Sequence, residues 1–197
     1  MENIEKQFVR VGDVQLHVVT AGPTDGEPIL LLHGFPEFWY GWHNQIPFLA
    51  EQGYRVIAPD QRGYNLSDKP EGVDAYGLDQ LAADVIGLID ALGYEQVNLV
   101  GHDWGAAVSW WVANLYPERL KKLIILNVPY PTVMIEAFRG GNIAQLFKSW
   151  YMGFFQIPGL PEAVLSFNDF QGLVQGMNSI GHPNSFSQED LDQYRTA

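Results

Sequence analysis

Short apolar runs alternate with amphipathic helical stretches from the N-terminus to about Tyr130. Residues 7–11 and 15–20 flank Gly12-Asp13, which predicts an antiparallel hairpin closed by a tight turn. Residues 29–32 and 55–58 are compact apolar runs ending at His33-Gly34 and Pro59-Asp60, and they predict buried strands that open into loops at their C-terminal ends. Leu78, Leu81, Ala82, Val85, Ile86, Ile89 and Leu92 recur at helical spacing, with Asp79, Asp84 and Asp90 assigned to the opposite, solvated face and Gly93 placed to stop the helix. A strand over 96–100, a helix over 106–115 halted near Pro117 and a strand over 123–126 follow. Strict alternation of strand and helix predicts parallel crossovers, hence an α/β architecture with a doubly wound, mostly parallel sheet.

Beyond Asn127 the pattern changes. Residues 130–197 read as helical or irregular, with an aromatic cluster at Trp150, Tyr151, Phe154 and Phe155 and turn signals at Gly140-Gly141, Pro158-Gly159 and His182-Pro183. The expected division is a core over 1–130 and a helical cap over 131–197, inserted above the C-terminal edge of the sheet where ligands of open α/β folds bind.

Composition narrows the function. With 197 residues, 47% hydrophobic and 17% charged, the chain has material for a globular core, so disordered and fibrous classes are excluded. A formal charge of −12 without a basic stretch is the wrong footprint for nucleic acid or an anionic membrane surface. The absence of cysteine removes disulfides, thiolate metal sites and a cysteine nucleophile. No His cluster has metal-ligand spacing, so neither a metal nor another cofactor is expected. The N-terminal residues lack a secretory pattern, and no apolar run approaches the ~18 residues of a membrane span, so a soluble cytoplasmic protein is the expectation.

The chemistry concentrates in Gly101-His102-Asp103-Trp104-Gly105, between a predicted strand and a predicted helix. This is the frame of a nucleophile elbow, with aspartate where serine is usual. A carboxylate held there can attack an electrophilic carbon and leave an ester. Attack at saturated carbon suits it better than acyl transfer, whose product would be an easily hydrolysed anhydride. Taken alone, these five residues equally describe a tight turn with a solvated helix-start aspartate. His33-Gly34-Phe35-Pro36-Glu37 adds weight, because it follows an upstream strand at the place that supplies one backbone N–H to an oxyanion hole. Phe35 and Trp104 are the candidate backbone donors.

These two motifs, with Asp60-Gln61-Arg62-Gly63-Tyr64 and Ser67-Asp68 between them, resemble in order and spacing the epoxide hydrolase branch of the α/β-hydrolase superfamily. The resemblance implies that Asp103 opens the epoxide ring and that Tyr151, in Trp150-Tyr151-Met152-Gly153-Phe154, is the first of two cap tyrosines that protonate the epoxide oxygen. Without the resemblance Tyr151 reads as an aromatic core residue. Tyr194 lies in the segment leading toward the second tyrosine and receives no role. Haloalkane and haloacid dehalogenases of the same fold are the rival, but Phe35 stands where haloalkane dehalogenases usually carry asparagine, and Trp104 where fluoroacetate dehalogenases carry arginine. The expected partners are a small apolar epoxide, an aryl one by the aromatic cap, and water.

The remaining polar residues are expected to be structural. His33 and His102 shape the motifs, His17 and His43 lie on a strand surface and in a loop, and Arg62 with Asp60 braces a loop by an internal ion pair. The resemblance also implies an acid and a histidine later in the chain, yet only His182 follows Asp103, within the predicted cap. The expectation is therefore the N-terminal fragment of a longer enzyme, in which an ester on Asp103 would persist. The alternative is a short, non-catalytic ligand- or partner-binding product.

Overall fold

The structure, a computed structural model, describes residues 4–141, 143–180 and 185–197. It divides into two compact units, Met1–Val128 and Pro129–Ala197. Among the described residues the first unit forms one six-stranded sheet from β1 (Ile4–Val11), β2 (Val14–Ala21), β3 (Glu27–Leu32), β4 (Tyr54–Pro59), β5 (Val97–His102) and β6 (Leu120–Leu126). Its order is β1-β2-β4-β3-β5-β6. β1 with β2 and β2 with β4 are antiparallel, whereas the β4, β3, β5 and β6 pairs are parallel. Three helices connect the parallel strands: α1 (Gln45–Glu51), α2 (Leu78–Ala91) and α3 (Trp104–Leu115).

The strand order fixes where a site can form. From β3 the chain moves outward to β4, and from β5 it moves the other way to β6, although β3 and β5 are neighbours with Leu32 opposite Gly101. The loops leaving their C-terminal ends diverge, and the crevice between them is the topological switch point of the sheet.

Leu30 and Leu32 pack with Ala82, Val85, Leu88 and Ile89 of α2 and Val108 and Val112 of α3 in one apolar cluster. Successive strand residues face opposite sides, so Ile29 and Leu31, also buried, lie on the other face, where α1 packs on β4 and β2 with Ile46 fully enclosed. Helix α2 stops as its sequence requires. Gly93 takes φ +78, its N–H donates to Asp90 O and the N–H of Tyr94 donates to Ile89 O, the two bonds of a Schellman closure.

Three expectations about polar residues are corrected. His17 is buried within β2, 2.7 Å from Asp60. Asp84 is buried on α2 rather than solvated. Arg62 does not pair with Asp60; it donates to both oxygens of Asp84, at 2.7 and 2.8 Å, and to Asp13 at 2.9 Å. Asp60 instead accepts from the Trp39 N–H at 2.9 Å and Asn65 Nδ2 at 2.8 Å. Each buried charge takes the nearest donors that the fold, not the local sequence, supplies.

The second unit contains helices and no strand among its described residues: α4 (Pro131–Arg139), α5 (Ile143–Lys148), α6 (Trp150–Phe154), α7 (Leu160–Ser166), α8 (Gln171–Ile180) and α9 (Gln188–Thr196). A capping box starts α9, with Ser187 and Asp190 each bonding the other's backbone N–H. Tyr194 on that helix is buried edge-on to Phe186. Among the described residues no helix is long and apolar enough to cross a membrane.

Candidate active site

Asp103 follows directly on β5 at the N-cap position of α3, with φ 50° and ψ −118°. A non-glycine residue there stores about 1–3 kcal/mol of backbone strain and persists only where its surroundings over-determine it. Here they do. The Asp103 carbonyl accepts from the N–H groups of Ala106 and Ala107, and its own N–H donates to Asn127 Oδ1 at 3.1 Å.

The flanking glycines serve close approach rather than unusual dihedrals. A Cβ at Gly101 would stand 2.4 Å from both Gly105 O and Ser109 Oγ, and one at Gly105 would stand 2.3 Å from Leu32 O. Helix α3 can therefore begin directly against β3 and β5 only if both positions lack a side chain. Gly34 meets the same limit from the facing loop, since its Cβ would fall 2.4 Å from Asp103 Cβ and 2.7 Å from Oδ1.

The aspartate is not a helix cap. Its side chain makes no capping hydrogen bond; instead Oδ1 accepts the N–H of Phe35 at 3.0 Å. Trp104 is the first residue of α3, where backbone N–H groups have no acceptor within the helix. One carboxylate oxygen is thus held by a backbone donor at the switch point, while Asp103 as a whole stays half-buried.

The two histidines beside the motifs lock the loops in different ways. His33 is fully buried; its Nδ1–H donates to Gly34 O at 2.9 Å and its Nε2 accepts the Gln61 N–H at 3.0 Å, tying the loop after β3 to the loop after β4. Burial holds its pKa below the ordinary histidine value, in keeping with that neutral arrangement. His102 lies 2.8 Å from Glu37 Oε2. The hydrogen bond to Glu37 raises its pKa, against the opposing effect of burial, and the charges of Glu37 and Asp103 act in the same upward direction. Burial pushes the Glu37 carboxyl up, but the His102 bond and charge outweigh it and the net displacement is downward.

Pro36 completes the His33-to-Glu37 loop, in which Glu37 also accepts the Gly34 N–H at 3.2 Å. Tyr64 is half-buried and edge-on to His33; desolvation first, and the charge of Asp103 second, push its phenol well above the ordinary tyrosine value. Beside it a cavity of about 150 Å³ is lined by Gln61, Arg62, Tyr76 and Trp104 among others.

Asp103, Phe35, Trp104, His33, Gly34, Gly101, His102 and Gly105 therefore meet around one crevice of the first unit. Tyr151 lies in the second unit on α6, 47% exposed and edge-on to Phe155. His182 lies outside the described residues. Asn127, just past β6 at φ 63°, has no place in any motif of the sequence, yet it holds the backbone of Asp103. Its only advance signal is an asparagine, a residue that tolerates left-handed backbone, at the end of an apolar run. Among the described residues no group of three or more His, Cys, Asp or Glu side chains could hold a metal ion.

Comparison with known proteins adds relatives to this geometry. A family model described as alpha/beta hydrolase fold matches residues 27–195. The AB hydrolase superfamily protein YfhM of Bacillus subtilis is 50% identical over 197 residues, covering 100% of this chain and 68% of that protein. Epoxide hydrolase 4 of Mus musculus is 43% identical over 194 residues, covering 95% of this chain and 54% of its own length. Among solved structures, an epoxide hydrolase mutant from Bacillus megaterium complexed with its product, a naphthyloxy-propane-1,2-diol, superposes with a TM-score of 0.88 at 37% identity, covering 96% of this chain and 66% of that one. The epoxide hydrolase VrEH1 from Vigna radiata gives a TM-score of 0.83 at 35% identity, covering 100% and 67%. The chain spans about half to two thirds of the length of these relatives.

Proposed function

This chain belongs to the α/β hydrolase fold family, and from that premise we propose that it carries the nucleophile of an epoxide hydrolase, which converts an epoxide to a vicinal diol through an ester on Asp103. The observation that carries the proposal is the carboxylate of Asp103, which declines the capping bond available to it and rests one oxygen on the Phe35 N–H. The names of the relatives and the diol bound to the Bacillus megaterium enzyme support the substrate class.

The roles follow from the two oxygens. Oδ1, bonded to Phe35 N–H, is the less nucleophilic, so Oδ2 attacks a ring carbon. The carbon–oxygen bond of the epoxide breaks, its electron pair passes to the ring oxygen, and the Tyr151 phenol supplies the proton that converts this alkoxide to a hydroxyl. Oδ1 is then the carbonyl oxygen of the new ester. Attack of water on that carbonyl, with a base taking the water's proton, places negative charge on Oδ1, where the Phe35 and Trp104 N–H groups form the oxyanion hole. Collapse expels the diol oxygen, which takes the proton held by the base, and the proton left on the carboxyl group returns to the Tyr151 phenolate, so the diol leaves and the carboxylate is restored. One backbone donor thus orients the nucleophile in the first step and stabilises the oxyanion in the second.

The test is an acid quench of the protein mixed with an aryl epoxide such as styrene oxide, followed by intact-mass and peptide measurement. A mass gain of one epoxide on the peptide containing Asp103 is expected, and its absence in Asp103→Asn. An adduct on another residue, or one unchanged by Asp103→Asn, would overturn the proposal.

A further inference from the structure

We infer that Asn127 is a positioning residue for Asp103, and that it holds the elbow only while the imidazole of His102 is neutral. The inference rests on the reading of Asp103 as the nucleophile.

Four hydrogen bonds in series join the two loops of the site. The Asp103 N–H donates to Asn127 Oδ1 at 3.1 Å. Asn127 Nδ2 and His102 Nε2 are 3.0 Å apart. His102 Nδ1 and Glu37 Oε2 are 2.8 Å apart, and Glu37 Oε2 also accepts the Gly34 N–H at 3.2 Å. The direction of each bond is forced by the one before it. A backbone N–H can only donate, so the amide oxygen of Asn127 must face Asp103 and its NH₂ must face His102. His102 Nε2 must then accept, which makes the ring neutral with its proton on Nδ1, and Glu37 is the acceptor for that proton.

The series ties the strained residue that bears the carboxylate to the loop that bears the Phe35 donor. β6 places Asn127 beside Asp103, because His102 and Leu126 are register partners and each is followed by one of the pair. Asparagine suits the position on two counts, since its backbone there has φ 63° and its amide offers an acceptor and a donor on one short stem.

Protonating His102 breaks the series. A proton on Nε2 meets the NH₂ of Asn127, and if the amide turns to present its oxygen, the Asp103 N–H faces that NH₂ instead. Either arrangement leaves one donor of the elbow without an acceptor. The charged and titratable groups that face His102 are Glu37 and Asp103, which favour its protonation, and His33, a like group whose neutral form is favoured by burial. Ring opening should therefore decline as His102 becomes charged, on the acid side of its displaced titration.

Asn127→Gly and Asn127→Asp test this, because both residues accept a positive φ while only aspartate keeps an acceptor for the Asp103 N–H. Circular dichroism confirms that each variant folds. Asn127→Gly should form the styrene oxide adduct about tenfold more slowly or worse, as displaced catalytic groups generally do, and should lose the part of the acid limb that follows His102. Asn127→Asp can accept from both Asp103 N–H and a protonated Nε2, so it should recover adduct formation at mildly acidic pH and raise the pH at which His102 titrates. Nitrogen-15 NMR of the wild type at mildly alkaline pH should show His102 Nε2 as an unprotonated acceptor, and the Asp103 amide resonance should move in Asn127→Gly. A protonated Nε2 under those conditions, or an unmoved Asp103 amide, would overturn the inference even if no adduct forms; a wild type that forms no adduct while both NMR results hold would instead count against the assignment of the nucleophile.

Discussion

At Gly34 an added methyl group would stand 2.4 Å from Asp103 Cβ, closer than non-bonded carbons can approach, and both partners are backbone-anchored. The loop must therefore retreat, taking the Phe35 N–H away from Oδ1. Gly34→Ala should cost roughly 1–3 kcal/mol of stability through overpacking and slow adduct formation by about tenfold to a hundredfold, because the carboxylate loses the donor that orients it for attack. Gly153, in the last turn of α6 with nothing near its missing Cβ, is the control: Gly153→Ala should leave adduct formation unchanged and move stability by less than about 0.5 kcal/mol. Urea denaturation and the quench assay read the two effects separately. Gly34, Phe35 and Asp103 were legible in the sequence because each sits in a motif whose spacing encodes a turn. Asn127 was not, because its partners Asp103 and His102 are 24 and 25 residues away and meet it only after β5 and β6 pair. Glu37 was visible as a motif letter, but its bond to His102 needed the two loops to face each other across the switch point.

Among the elements, α2 shows what periodicity can and cannot establish. The spacing of Leu81, Val85, Leu88 and Ile89 identifies the helix and its apolar face, and the Gly93 closure identifies its end. It also assigned three aspartates alike to solvent, and they are not alike. Asp90 is exposed and paired with Arg119, an arrangement worth about 0–1 kcal/mol. Asp79 accepts the Trp111 indole N–H at the surface. Asp84 is buried and accepts two of the four guanidinium hydrogen bonds of Arg62, itself 2% exposed. Asp84→Ala would leave that guanidinium with Asp13 and a carbonyl as its remaining partners, and should destabilise the protein by about 3–5 kcal/mol, whereas Asp90→Ala should change stability by less than about 1 kcal/mol. Chemical denaturation of the two variants side by side is decisive, and near-equal midpoints would refute the assignment. No periodicity distinguishes these positions, because the partner that buries Asp84 comes from the loop after β4, 22 residues earlier.

For the whole molecule, element order in the sequence was enough to give the sheet its class, since a strand followed by a helix and another strand admits essentially one handed crossover. What order alone left open was which strands are neighbours. That β3 lies beside β5 depends on tertiary pairing, and it is this adjacency that turns two separate loop motifs into one crevice. The acidic composition had excluded polyanions without naming a substrate; a neutral electrophile is compatible with the net charge of −12 and with a site whose donors are backbone N–H groups rather than cations. The proposed chemistry also assigns a residue to the second unit, and this part of the proposal rests on chemical need. Opening a neutral epoxide leaves an alkoxide, and neither Asp103, acting as nucleophile, nor a backbone amide can give it a proton. A phenol can, and Tyr151 is the one proposed. Tyr151→Phe keeps the ring and its edge-on contact with Phe155 but removes the proton, so it should leave the stability of the protein within about 0.5 kcal/mol and lower the rate of adduct formation by about a hundredfold or more. The loss should be smaller for an epoxide whose opened oxygen is a better leaving group, because less charge then needs neutralising. Equal losses across a graded series of epoxides would assign Tyr151 to substrate binding instead of proton transfer, and no loss at all would remove it from the mechanism.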